Sequence, residues 1–125
     1  MTVGAGWEHL GGDGRHALQA PLGTLHAFNG WADMFVVTPA GGLDDRFASV
    51  SSRFPQKLGA HTPTWVLAYH DYRADTGGRY GREVDASVSV PVSPSTSVLL
   101  KLADYQSRGF RSDTWKMWLQ LEWSR

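Results

Sequence analysis

Glu83 and Asp85 are carboxylates two positions apart in a run, residues 83–92, where polar and apolar residues alternate. Successive side chains of a strand face opposite ways, so both acids fall on one face. Paired carboxylates can do acid–base hydrolysis when they flank a bond. Two acids on a single strand more simply line a polar surface. Five histidines, His9, His16, His26, His61 and His70, invite a metal search. None stands in His-x-x-x-His or Glu-x-x-His spacing, and the chain has no cysteine to offer as thiolate. Gly11-Gly12-Asp13-Gly14 lacks the Lys-Ser/Thr of a phosphate loop and reads as a turn. There is no Gly-x-Ser-x-Gly elbow. The expectation is a protein that is not an enzyme and needs no cofactor or metal.

Composition narrows the class. The 125 residues are enough for one small domain, 1–125, and Lys plus Arg equals Asp plus Glu at 12 each. A balanced charge argues against a nucleic-acid partner. The absence of cysteine suits the cytosol, and equally a chain crossing an oxidising periplasm. With 14 glycines and 12% aromatic residues, the balance tips toward β structure. No stretch approaches the roughly 20 apolar residues of a membrane helix. The start, residues 1–6, has no basic segment followed by an apolar one, so no signal peptide is expected.

Alternation supplies the elements that would carry these side chains. In residues 115–125, Trp115, Met117, Leu119, Leu121 and Trp123 occupy one face; Lys116, Trp118, Gln120, Glu122 and Ser124 occupy the other. In residues 83–92, Val84, Ala86, Val88, Val90 and Val92 oppose Glu83, Asp85, Ser87 and Ser89. Pro91 and Pro94 are expected to end that strand, with a tight turn at 93–97. Residues 97–103, 65–72, 46–54 and 2–10 give further, weaker strands. The connections are 11–42, 54–64, 74–81, 93–97 and 108–113. The predicted fold is all-β: an antiparallel meander of about five or six strands, each about 9 to 12 residues. That length suits a tilted crossing of a bilayer, about 9–11 residues, and exceeds the usual 5–6 of soluble sheets.

Such a sheet has two homes. In a soluble barrel the apolar face is inside; in an outer-membrane barrel it meets lipid and the charged face lines water. Trp115 and Trp123 at the two ends of one apolar face resemble paired interfacial girdles. The valine face carries no large residue to interdigitate, which suits lipid better than a packed core. The sequence also finishes on a strand.

The stretch from Gly6 to Phe47 resembles the signature region of the alginate-export porin family of Gram-negative outer membranes. The matching pieces are Gly12-Asp13-Gly14, Ala20-Pro21-Leu22, His26 to Phe35 (HAFNGWADMF), Thr38-Pro39, and Gly42-Leu43-Asp44-Asp45. A looser likeness runs through Tyr69-His70 and residues 81–85 to the end. The resemblance implies a barrel of about eighteen antiparallel strands, of which this chain supplies the C-terminal portion, as a fragment. It implies an outer-membrane location, passage of an anionic polysaccharide or smaller solutes, and outer-membrane lipid and the barrel assembly machinery as partners. Family barrels commonly end on an aromatic residue; here Arg125 is last and Trp123 stands two positions before it.

Under that resemblance the solute pathway would draw on the polar face. Its candidates by parity are Lys101, Lys116, Arg73 or His70, Glu83, Asp85, Gln120 and Glu122. Lys101 is expected to pair across strands with Glu83, Asp85 or Glu122. The 11–42 connection is expected on the outer side, long and partly helical, with HAFNGWADMF forming a short helical turn. Phe28, Trp31 and Phe35 would pack it against the wall, with Asp33 on the polar side. The alternative is a small soluble β-barrel that holds an apolar ligand in a Trp- and Leu-lined cup.

Overall fold

The computed structural model describes residues 1–20, 29–59 and 61–124. Six strands follow in chain order: β1 (Thr2–Leu10), β2 (Leu43–Arg53), β3 (Thr64–Arg73), β4 (Arg79–Ser93), β5 (Thr96–Ser107) and β6 (Thr114–Trp123). Each pairs antiparallel with the next to make one sheet in sequence order. Among the described residues β1 and β6 pair on one side only. The described parts of the 11–42 connection, with 74–78 and 108–113, join the strands at one end of the sheet, here the loop end. Residues 54–63 and 94–95 lie at the other, the turn end.

Register converts the alternation into two unlike faces. Val3, Val50, Leu67, Ala86, Leu102 and Met117 are successive cross-strand partners, a single apolar row through all six strands. Trp65, Val88, Leu100 and Leu119 form the next row toward the turn end. Leu119 and Leu121 on this face are 76% and 71% exposed. The opposite face is covered at the loop end. Leu10, Leu43, Tyr72, Ala103 and Tyr105 are buried there beneath Ala32, Met34 and Phe35 of the long connection. The only large packed core among the described residues therefore lies between the connection and the charged face, at the loop end.

Two expectations need correction. Pro91 does not end its strand: β4 runs on to Ser93, with an irregularity between Pro91 and Ser93. β4 pairs with β3 only as far as Ser89. Pro91 thus sits where one edge is already free, the place a strand tolerates a residue without N–H. The turn shrinks to residues 94–95. The expected helical turn is also absent among the described residues, since residues 29–42 run as bends and turns. Gly30, Asp33 and Gly42 have φ of 78°, 58° and 76°. Left-handed residues so closely spaced interrupt the repeated right-handed dihedrals a helix requires. Phe28, expected to help pack the connection against the wall, lies outside the described residues.

Candidate functional site

The covered face gathers an acid-rich cluster that no single strand could assemble. Register sets Glu83 opposite both His70 on β3 and Tyr105 on β5, and Asp45 on β2 opposite Tyr72 on β3. Asp45, Glu83 and Asp85 have essentially no exposed surface. Burying a carboxylate is costly unless donors satisfy it. His70 answers for Asp45, its Nδ1 lying 2.8 Å from Asp45 Oδ2, while its Nε2 stands 3.9 Å from Asp85 Oδ2. The imidazole is stacked between Phe47 and Tyr72, each ring centroid 5.5 Å away.

The remaining donors come from the connection. The Ala32 N–H donates to Glu83 Oε1 at 2.6 Å, and the Trp31 N–H to Asp85 Oδ2 at 3.2 Å. Tyr72 Oη donates to Glu83 Oε2 at 3.4 Å. The carboxylates thus latch the backbone of residues 31–32 to the wall. Gly30 makes the approach possible: a Cβ there would collide with the Tyr72 hydroxyl and the Glu83 carboxyl, and its φ is one that L-residues avoid. Phe35 seals the far side, 1% exposed, with ring centroids of Tyr72 at 4.4 Å, Phe110 at 5.3 Å and Tyr80 at 5.7 Å. Burial of such a ring contributes about 1.5–3 kcal/mol. Tyr105 Oη lies 2.9 Å from both the Tyr80 and the Phe110 carbonyl, and its one O–H, shared between them, ties the start of β4 to the 108–113 connection.

Beside the latch the site opens toward solvent. Lys101 Nζ stands 4.2 Å from the Trp31 ring centroid and 5.8 Å from that of Trp118. Lys116 Nζ donates to Asp33 Oδ2 at 3.1 Å, with both side chains about one third exposed. A cleft of about 190 Å³ lies next to them, lined among others by Trp31, Phe47, His70 and Asp85. Two ammonium groups, the carboxylates of Asp33 and Asp85 that face them, and two indoles can meet a polar solute by hydrogen bonds and ring contact. Farther out, a different device orders the start of the connection. Asp13 accepts N–H groups from His16 and Arg15 at 2.6 and 2.7 Å, which holds its carboxyl below the usual range.

Of the residues singled out by parity, Lys101, Lys116, His70, Glu83, Asp85, Gln120 and Glu122 share the covered face. Glu83, Asp85 and His70 join the latch, and Lys101 and Lys116 the open part. Gln120 and Glu122 lie apart, on β6 toward the turn end. Arg73 falls on the other face, where its guanidinium meets Asp71 at 2.7 Å. Trp31, Asp33 and Phe35 all contact the sheet. The carboxylates of Asp85 and Asp33 are the acidic neighbours of Lys101. Asp45, Tyr72 and Tyr105 are not among the site residues expected from the sequence. Their parity was a usable signal for the face, but their partners are remote in the chain. No group of three metal-capable side chains occurs among the described residues.

Compared with family models, with curated proteins and with solved structures, the chain has no match.

Proposed function

We propose that this chain is a wall segment of an outer-membrane β-barrel of porin type, with residues 29–42 folded onto the lumen side as a constriction. The observation that carries the reading is the six-strand apolar row, no member of which is buried and whose Val3, Leu67 and Met117 are exposed, with aromatic side chains toward both ends. Trp7, Tyr69 and Trp115 stand toward the loop end and Trp65 and Trp123 toward the turn end of that same face. Such a band with interfacial aromatics is what lipid contact asks of a strand. The longest connection, 11–42, and the shortest, 94–95, stand at opposite ends of the sheet, as expected for the outer and periplasmic sides of such barrels. No helix among the described residues is long and apolar enough to cross a membrane.

The solute passes the Trp31–Lys101–Lys116–Trp118 group. Asp33 and Asp85 face these two ammonium groups, so the group offers a polar solute paired charges and ring faces, and the choice of uronate polymers or smaller anionic solutes follows from the resemblance to alginate-export porins. The soluble-cup alternative requires the apolar face to be the enclosed one. The described connection instead lies on the charged face, which favours the barrel.

The chain lacks cysteine, so single cysteines along β6 report their surroundings without interference. After reconstitution into vesicles, a membrane-impermeant maleimide should label Gln120→Cys and Glu122→Cys and spare Leu119→Cys and Leu121→Cys. Equal labelling at both parities, or recovery of the chain free of vesicles, overturns the proposal.

A further inference from the structure

Just beyond the apolar band, on the same face and at the loop end, the sheet carries a compact group of arginines. Arg46 on β2 is the cross-strand partner of Asp71, Asp71 of Arg82, Asp44 of Arg73, and Arg73 of Arg79. Strands β2 to β4 therefore set four guanidinium groups against two carboxylates. Asp44 is already engaged: it accepts the Trp7 indole N–H at 2.8 Å and the Arg46 Nε–H at 3.0 Å. Asp71 accepts Arg73 at 2.7 Å and stands 3.9 Å from Arg79. Arg82 spends two N–H groups on the neutral oxygen of Gln106, at 2.9 and 2.6 Å. Asp104, on the next strand, accepts from that same Gln106 at 3.4 Å. The positive charge of Arg79 and Arg82 is thus the least compensated, and Arg79 is 59% exposed.

We infer that this patch binds the phosphate-bearing headgroup of an anionic lipid whose acyl chains lie along the adjoining apolar rows. The inference rests on the barrel reading. Guanidinium groups match phosphate oxygens in bidentate fashion, which ammonium groups do not. The position fits a lipid rather than a free ion. Arg46, Asp71 and Arg82 form the cross-strand row next to Ala48, Tyr69 and Val84, so charge and hydrocarbon contact meet at one boundary. Tyr69 and Trp7 mark that boundary with rings that are half exposed.

The test uses the full chain in a nonionic detergent, followed by native mass spectrometry with added dioleoyl phosphatidic acid. Dioleoyl phosphatidylcholine and inorganic phosphate serve as comparison probes. Phosphatidic acid should be retained in preference to phosphatidylcholine, and the Arg79→Gln/Arg82→Gln protein should retain it roughly tenfold less. Arg79→Lys/Arg82→Lys, which keeps the charge and loses the fork, should fall between. Circular dichroism that matches the parent certifies each variant. Equal retention of both lipids, or parent-like retention by the Gln variant, overturns the lipid site while leaving the barrel standing. Displacement of the lipid by millimolar inorganic phosphate assigns the patch to free phosphate and also overturns it. A chain that stays outside the micelle overturns the barrel reading and this inference together.

Discussion

Gly30 shows how one position controls the covered face. Its neighbours are not apolar filler but the Glu83 carboxyl, which accepts the Ala32 N–H, and the Tyr72 hydroxyl, which donates to that carboxyl. Any Cβ at Gly30 must displace them, and its left-handed φ adds a strain of about 1–3 kcal/mol. Gly30→Ala should therefore free the latch while the strands persist. Limited proteolysis checks this, with new cleavage expected within residues 29–42 and unchanged protection of β2 to β5. An alanine variant as resistant as the parent would mean that the latch does not depend on this approach. The acids behave in the same local way. Glu83 and Asp85 look like a hydrolytic pair on paper, yet one oxygen of each accepts a main-chain N–H, which suits them to hold a loop.

At the scale of elements, β6 divides its residues most cleanly. Leu119 and Gln120 are neighbours in sequence and stand on opposite faces of the last strand. Arginine at a lipid-facing mid-strand position costs about 2–4 kcal/mol, and at a lumen-facing one far less. In the proposed orientation Leu119→Arg should weaken folding into vesicles by about that amount, whereas Gln120→Arg should be near neutral. Denaturant titration of the vesicle-bound variants measures both. If the two substitutions cost the same, β6 does not divide lipid from lumen. β4 teaches a second point about elements. Its proline is tolerated because β3 has already ended beside it, so the strand's true length depends on its neighbour's.

For the whole molecule, the decisive quantity is where hydrocarbon ends up. The packed core sits on one face under the connection, while Met117, Leu119, Leu121, Trp115 and Trp123 remain mostly exposed on the other. Soluble monomers rarely present apolar patches beyond a few hundred Å². In plain buffer the chain should self-associate, and micelles should disperse it. Sedimentation velocity reports the outcome directly. A monodisperse monomer in detergent-free buffer would show that the apolar face is satisfied within the chain.

Much of this was legible in the residues themselves. The two-residue period of 115–123 and 83–92 is local, because a strand's facing is set by its own backbone, so strand identity, the meander and the unlike faces could be read directly. Lys116, Glu83 and Asp85 went to their common face for that reason. What reached beyond the chain's local grammar was decided only in three dimensions. Residues 31–32 find acceptors more than fifty positions away, His70 settles on Asp45, and Arg73 turns from the expected lining to the arginine patch. Those outcomes depend on register between strands and on where a long connection comes to rest. Sequence alternation defines the two sides of each strand, but only long-range packing selects which side the connection covers.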